Sequence, residues 1–254
     1  MINIGGFGDS YIAQRVLWLE SLQTEDRKLY IYGKGGANLF YAIHQWNWHV
    51  ENLGEDFYDY AIFTFTWHHR LFNSIDYRNN LMCSAAEQNG KFVGGVVDDP
   101  IIKTEEDFNE FINTLRSYYK YIHDDKWRRF DYELELKYIL ELPKKYPKTK
   151  FIFLPNTVFS QELAKKYFSN GILVDFAFNE ISENEPKTEE WHKIMGTLYG
   201  TRPSNMLPNN PYPGHMNPTN QKIFGDFIAN IIDNYQSYAD TVYPVDYNIF
   251  DIEL

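Results

Sequence analysis

The chain has 254 residues, a formal net charge of −11 and a composition that is 44% hydrophobic, 18% aromatic and 23% charged. This length and composition predict a folded globular protein with a substantial core. The acidic balance argues against nucleic-acid and anionic-membrane partners, because phosphates are bound by an excess of Lys and Arg. The single cysteine, Cys83, excludes an internal disulfide framework.

No apolar run approaches the length that crosses a bilayer. The chain does not open with the charged segment and apolar segment of a secretory signal. We therefore expect a protein without a membrane partner, made and retained in the cytoplasm.

The first stretch, MINIGGFGDSY, is apolar and glycine-rich and runs into Gly8-Asp9-Ser10-Tyr11. It predicts a strand that ends abruptly and places Ser10 at the start of a helix. Glycine allows the sharp turn, and free N–H groups at a helix N-terminus stabilise an oxyanion beside the serine. Ser10 is therefore a candidate nucleophile. The alternative is that Ser10 only caps its helix.

Helical spacing and a second strand complete the first β-α unit. Apolar residues recur at Ile12, Val16, Leu19 and Leu22, and a short strand follows over residues 29–32. The loop 33–38 then precedes a helical stretch over residues 39–48. This loop has the glycines of a phosphate loop but lacks the Walker spacing, so it is a weak nucleotide motif.

The segment 60–66 is the strongest strand pattern in the chain, and it delivers Trp67-His68-His69-Arg70 at its carboxyl end. Ligands of open parallel sheets bind at that edge. A metal site built from His68 and His69 is disfavoured, because adjacent side chains diverge and no third ligand is suggested. We expect no metal and no cofactor. The alternative is that both histidines are surface loop residues.

Two helices are predicted in a long insertion over about residues 71–149. The first follows the cap Thr104, and residues 71–100 before it are expected to form a lid or a partner surface. The second ends at Pro143 and Pro147. Its predicted apolar stripe consists of Phe130, Leu134, Tyr138 and Leu142.

Strands over 150–154 and 171–178, with a helix over 161–168 between them, continue the β-α alternation. The pattern predicts a three-layer α/β/α sandwich with a mostly parallel, flavodoxin-like sheet. We expect one domain over residues 1–238. The acidic and aromatic tail 239–254 is expected to pack on this domain or on a protein partner.

The last helix begins after Pro213-Gly214-His215-Met216-Asn217-Pro218, where Asn217 caps and Pro218 occupies the first helical position. Its buried stripe is predicted to be Ile223, Phe224, Phe227, Ile228, Ile231 and Tyr235. His215 thus lies at a helix entrance. A lone histidine there is either structural or a base.

Gly-Asp-Ser near the N-terminus and a loop histidine before the last helix together resemble the SGNH (GDSL) hydrolase family. The resemblance implies that Ser10 is the nucleophile and His215 its base. It implies an oxyanion hole formed by the backbone N–H groups of Ser10 and Gly36, with Gly35 as the alternative, and by His68 in place of the family's asparagine.

The third block, Thr66-x-x-x-Arg70, is similar to a variant found in small stand-alone SGNH proteins of tailed phages. Arg70 is then a structural clamp. Tyr212 stands where the family has an aspartate, so Asn210, a carboxylate from elsewhere or a backbone carbonyl would orient the histidine. The remaining candidate supporting residues are Asp9, Asn38 and Thr66.

The resemblance implies a serine esterase acting on a small-molecule or glycan ester, such as an acyl group on carbohydrate. The alternative is a weakened or inactive protein of this fold with a structural or binding role, for example in a phage particle. A phage-encoded chain would then be associated with the virion.

Overall fold

A computed structural model describes residues 1–13, 17–33, 37–66, 86–88, 91–93, 125–199 and 215–252, with isolated helical positions at 110, 113, 114 and 117. The apolar positions of the helix predicted after Thr104 lie outside these residues. None of the described helices combines the length and the apolar character needed to cross a membrane.

The strands alternate with helices along most of the described chain. The strands are β1 (Ile2–Gly8), β2 (Arg27–Gly33), β3 (Tyr60–Phe65), β4 (Ala86–Gln88), β5 (Lys91–Val93), β6 (Lys150–Pro155), β7 (Ile172–Asp175) and β8 (Thr241–Pro244). The helices are α1 (Ser10–Ala13), α2 (Leu17–Glu20), α3 (Leu39–Leu53), α4 (Asp125–Lys145), α5 (Val158–Tyr167), α6 (Phe178–Asn184), α7 (Glu189–Tyr199), α8 (Pro218–Asp233) and α9 (Tyr235–Tyr238), with a 3-10 turn at Tyr247–Ile249.

Six strands form one parallel sheet in the order β2-β1-β3-β6-β7-β8, and β4 and β5 form a separate antiparallel hairpin. The helices cover both faces of the large sheet, so the predicted α/β/α sandwich is confirmed. Because β2 and β3 lie on opposite sides of β1, the strand order reverses between β1 and β3. Open α/β sheets bind their ligands at the carboxyl ends of the strands that flank such a reversal.

One face of the sheet is aliphatic and packs on α2 and α8. Ile62, Ile152 and Ile172 are paired across β3, β6 and β7 and are fully buried. Gly225 lets α8 approach α2 closely, because a Cβ at this position would lie 2.6 Å from Ser21 Oγ. Burial of this face fixes α8, together with Met216 just before it, against the sheet.

The opposite face is aromatic and packs on α3, α4 and α5. Phe7 stacks on Phe63 with ring centroids 5.1 Å apart, and Trp46 of α3 meets Phe151 edge-on at 5.3 Å. These rings are fully buried. Aromatic pairs in these geometries add to the free energy gained from burying their surface.

The prediction for the buried face of α4 is wrong at three of four positions. Phe130, Leu134 and Tyr138 are 50%, 49% and 39% exposed, and only Leu142 is buried. The helix also continues past Pro143 to Lys145. A second apolar stripe runs along the same helix, and it is this stripe that packs on the sheet: Tyr132, Leu136, Ile139 and Leu140. Helical spacing alone did not distinguish the two stripes.

The C-terminal segment, residues 239–252 of the described chain, packs on the domain. β8 extends the sheet beside β7, from the pair Ile172 and Thr241 to the pair Asp175 and Pro244. Phe250 is 6% exposed and belongs to the core of the aliphatic face. The last part of the described chain therefore lies against α8 and β7.

Candidate active site

Asp9 and Thr66 meet at the carboxyl ends of neighbouring strands. Asp9 follows β1 and Thr66 follows β3, and these strands are paired in parallel. The Thr66 hydroxyl donates to Asp9 Oδ2 at 2.8 Å, and both residues are buried. Two predicted supporting residues are thus joined at the point where the strand order reverses.

Asp9 also caps the helix that begins at Ser10. Its Oδ1 accepts the N–H of Tyr11 at 3.1 Å, and its backbone carbonyl accepts the N–H of Ile12 at 3.0 Å. The residue that caps is therefore Asp9, and Ser10 is the first residue of α1. The alternative role for Ser10, that of helix cap, is taken by its neighbour. The side chain of Ser10 lies outside the described part of the structure.

Gly8 allows the ends of β1 and β3 to come close together. A Cβ at Gly8 would lie 1.9 Å from Thr64 Oγ1 and 3.2 Å from Thr64 Cβ. No larger residue fits this position without displacing Thr64. The glycine is therefore required by a close approach, immediately before Asp9 and Ser10.

His215 lies beside the segment that contains Ser10, although the two are far apart in sequence. Its ring stacks on the ring of Tyr11 with centroids 5.1 Å apart and an interplanar angle of 27°. Tyr11 in turn stacks on Phe178 at 5.0 Å. His215 is 6% exposed and Tyr11 3%. The histidine thus contacts the residue that follows the candidate nucleophile.

The backbone after His215 is fixed at the start of α8. Gln221 Nε2 donates to the carbonyl of Met216 at 2.8 Å, and the side chain of Asn217 accepts the N–H of Asn220 at 2.9 Å. Asn217 is the cap of α8 and Pro218 is its first residue, as predicted.

A buried glutamate, Glu185, binds the start of α8 and was not singled out from the sequence. Glu185, 2% exposed, accepts the backbone N–H of Asn217 at 2.7 Å and the side-chain amide of Asn220 at 2.8 Å on Oε1. Its Oε2 accepts Trp191 Nε1 at 2.8 Å. Burial raises the pKa of Glu185, while these hydrogen bonds and the charge of Lys187 oppose the rise.

Asn38, another predicted supporting residue, caps α3. Its side chain accepts the N–H of Tyr41 at 3.0 Å, and the residue is 7% exposed. Among the described residues, no three His, Cys, Asp or Glu side chains form a group suited to a metal ion. The other predicted site residues lie outside the described residues and stay predictions: Gly35, Gly36, His68, His69, Arg70, Asn210 and Tyr212.

Two further polar groups are buried near the same edge. Asn156 directly follows β6, whose end pairs with the end of β3. Within the described part of the chain, both side-chain amide atoms of Asn156 and the hydroxyl of Thr64 are buried without a hydrogen-bond partner. Such groups are uncommon in folded proteins because desolvation without a partner is unfavourable.

No family model matches the chain, and no curated protein matches it.

Proposed function

We propose that this chain is a serine hydrolase of the SGNH type that cleaves a carboxylic ester, with Ser10 as nucleophile and His215 as general base. The observation that carries the proposal is the stacking of His215 on Tyr11, the residue after Ser10. This contact joins two motifs from opposite ends of the sequence at the carboxyl edge of a parallel sheet. Ligand sites of open α/β sheets occur at that edge.

In the proposed reaction, Ser10 Oγ attacks the ester carbonyl carbon while the His215 imidazole takes the hydroxyl proton. The imidazolium then protonates the leaving alcohol, and an acyl ester remains on Ser10. A water molecule then gives a proton to His215 and attacks the acyl carbon, and the imidazolium returns that proton to Ser10 Oγ as the carboxylic acid leaves. Backbone N–H groups of Ser10 and Gly36, with His68, are the proposed donors to the tetrahedral oxyanion.

Asp9 has a supporting role in this proposal. Its two carboxylate oxygens accept hydrogen bonds from the N–H of Tyr11 and the hydroxyl of Thr66. Asp9 thereby fixes the turn on which Ser10 lies. The acceptor that we propose for orienting the His215 ring is Asn210, a backbone carbonyl or another carboxylate.

The proposed substrate is a small-molecule or glycan ester. Trp127 and Phe130 are 55% and 50% exposed near the start of α4 and pack edge to face with centroids 5.9 Å apart. Because α4 leads into the amino end of β6, its own start points toward the carboxyl edge of the sheet. Exposed aromatic rings in that position are suited to stacking on sugar rings, and the net charge of −11 favours a substrate other than nucleic acid.

A fluorophosphonate probe tests the proposal, because it reacts with a serine hydroxyl that is activated by a base. We expect the unaltered chain to be labelled and Ser10→Ala to be unlabelled while its circular dichroism spectrum is unchanged. The exposed Ser237 provides the matched control, so Ser237→Ala should be labelled at the rate of the unaltered chain. Peptide mapping should place the label on Ser10.

A second proposal follows from Tyr212, which stands where the SGNH family has the aspartate that orients the histidine. Without that acid, the fold would serve as a structural or binding protein, located in the cytoplasm or in a phage particle. A folded chain that the fluorophosphonate leaves unlabelled would favour this second proposal over the first.

A further inference from the structure

At the start of α8, the N–H group of the cap residue Asn217 is bound by a residue outside the helix. In a capping box, the side chain of the third helical residue returns to the N–H of the cap residue. In α8 that third residue is Asn220, and its side chain is directed to Glu185 and to Asp251. The N–H of the cap residue Asn217 is bound by Glu185 instead.

The orientation of the Asn220 amide is fixed by the C-terminal segment. Its Oδ1 accepts the N–H of Asp251 at 2.7 Å, and its Nδ2 donates to the Asp251 carbonyl at 3.0 Å. The same Nδ2 donates to Glu185 Oε1 at 2.8 Å. Since Asp251 supplies both a donor and an acceptor, the amide cannot rotate by 180° without losing these bonds.

Glu185 is itself fixed at the end of α6. Trp191 Nε1 donates a hydrogen bond to Glu185 Oε2. Lys187 Nζ donates to the backbone carbonyls of Glu185 and Ser182 at 2.7 and 2.6 Å. Glu185, Trp191 and Asn220 are 2%, 4% and 0% exposed. Buried hydrogen bonds to a carboxyl group are stronger than exposed ones because little water competes for the partners.

We propose that Glu185 is a positioning residue for His215, and that Asn220 and the C-terminal segment hold Glu185 in place for this role. This inference rests on the proposed function. Glu185 binds the backbone two residues after the histidine, so it determines where the imidazole lies on the Tyr11 ring. The contact that places a base beside Ser10 thus depends on a carboxyl group that does not itself react.

Glu185→Gln is the direct test. Glu185 accepts hydrogen bonds from three N–H groups, and the glutamine amide would place its own N–H group against one of them. We expect fluorophosphonate labelling of the folded variant to be about a hundredfold slower, the loss typical of a displacement of about 1 Å in a catalytic group. Glu183→Gln, which changes an exposed glutamate two positions earlier, should label normally.

A spectroscopic measurement separates positioning from stability. The Tyr11 ring current should shift the His215 imidazole protons in the NMR spectrum, and their signals can be assigned by their loss in His215→Gln. In Glu185→Gln these signals should move toward the values of an unstructured histidine. Ile231→Val removes a fully buried methylene group from α8 and leaves the Glu185 contacts intact, so it should change neither the signals nor the labelling rate.

Asn220→Ala provides a second variant if Glu185→Gln does not fold, and it should shift the same signals in the same direction. Unchanged signals and an unchanged labelling rate in folded Glu185→Gln would overturn the inference and leave the proposed function standing. If the unaltered chain is not labelled, the proposed function fails. The NMR signals then decide separately whether Glu185 holds the histidine.

Discussion

The Ser10 segment and the His215 segment are held in place in two different ways. Ser10 follows Gly8 and Asp9, and its turn is fixed by Thr66 at the end of the neighbouring strand. The backbone just after His215 is bound by Glu185, which also binds the Asn220 amide that the C-terminal segment orients. The first arrangement consists of strand ends, and the second is a polar network between helices and the chain terminus.

The difference shows how the two halves of a site depend on the rest of a fold. Neighbouring parallel strands bring their carboxyl ends together as soon as the sheet forms, so the contact between Asp9 and Thr66 follows from the strand order. The network at Glu185 requires α6, α7, α8 and the C-terminal segment to pack together. We therefore expect substitutions beside Ser10 to act locally and strongly, and substitutions around His215 to act through several partners.

The largest expected effect is that of Gly8→Ala, because a Cβ would lie 1.9 Å from Thr64 Oγ1. Forcing an extra atom into a packed site typically lowers the free energy of unfolding by about 3 kcal/mol when the neighbour cannot move away. Urea unfolding measures the loss. Gly8→Ala combined with Thr64→Ala should recover part of it, since the clashing hydroxyl is then absent. Unchanged stability of Gly8→Ala would mean that the two strand ends are less closely packed.

A smaller effect is expected from Thr66→Val, which keeps the shape of the side chain and removes the donor to Asp9 Oδ2. Loss of a donor to a buried acceptor typically lowers the free energy of unfolding by about 2 kcal/mol. Fluorophosphonate labelling should slow as well, because the turn that carries Ser10 is no longer fixed. Thr66→Ser keeps the hydroxyl and is the control. Equal stability of the Val and Ser variants would contradict the proposed contribution of this bond.

Continuous apolar runs allowed three strands of the large sheet to be predicted to within two residues. Segments 29–32, 60–66 and 150–154 correspond to β2, β3 and β6. The run 171–178 was predicted too long, because β7 ends at Asp175. Phe176 and Phe178 are apolar for another reason: both pack on Phe224 of α8, with centroids 4.8 and 5.0 Å away.

The supports of His215 could not be predicted because their burial depends on distant partners. Glu183 and Glu185 stand in the same acidic stretch, and only the second is buried. The difference arises from Trp191 and Asn220, which the sequence does not connect to Glu185. Tyr11 was likewise not singled out, although its ring contacts His215. By contrast, the Asn217 cap is a local pattern and was predicted.

The smallest expected effect is the contribution of Glu185 to the dependence of stability on pH. Burial raises the pKa of Glu185 above its ordinary value of 4.5, and the hydrogen bonds from Trp191, Asn220 and Asn217 oppose this rise. A carboxyl group with a raised pKa binds its proton more tightly in the folded than in the unfolded chain. Its contribution to stability is therefore complete below pH 4.5 and is lost as the pH rises through the raised pKa.

Urea unfolding between pH 4 and pH 8, roughly the range above the ordinary pKa of a carboxyl group, measures this dependence. Glu185→Gln should remove the part of the downward slope that Glu185 causes, because the amide does not titrate. Glu183→Gln, at the exposed neighbour, should keep the slope of the unaltered chain. Identical slopes in both variants would show that the hydrogen bonds of Glu185 cancel the effect of burial on its pKa. The two segments would then differ in their geometry and not in their response to pH.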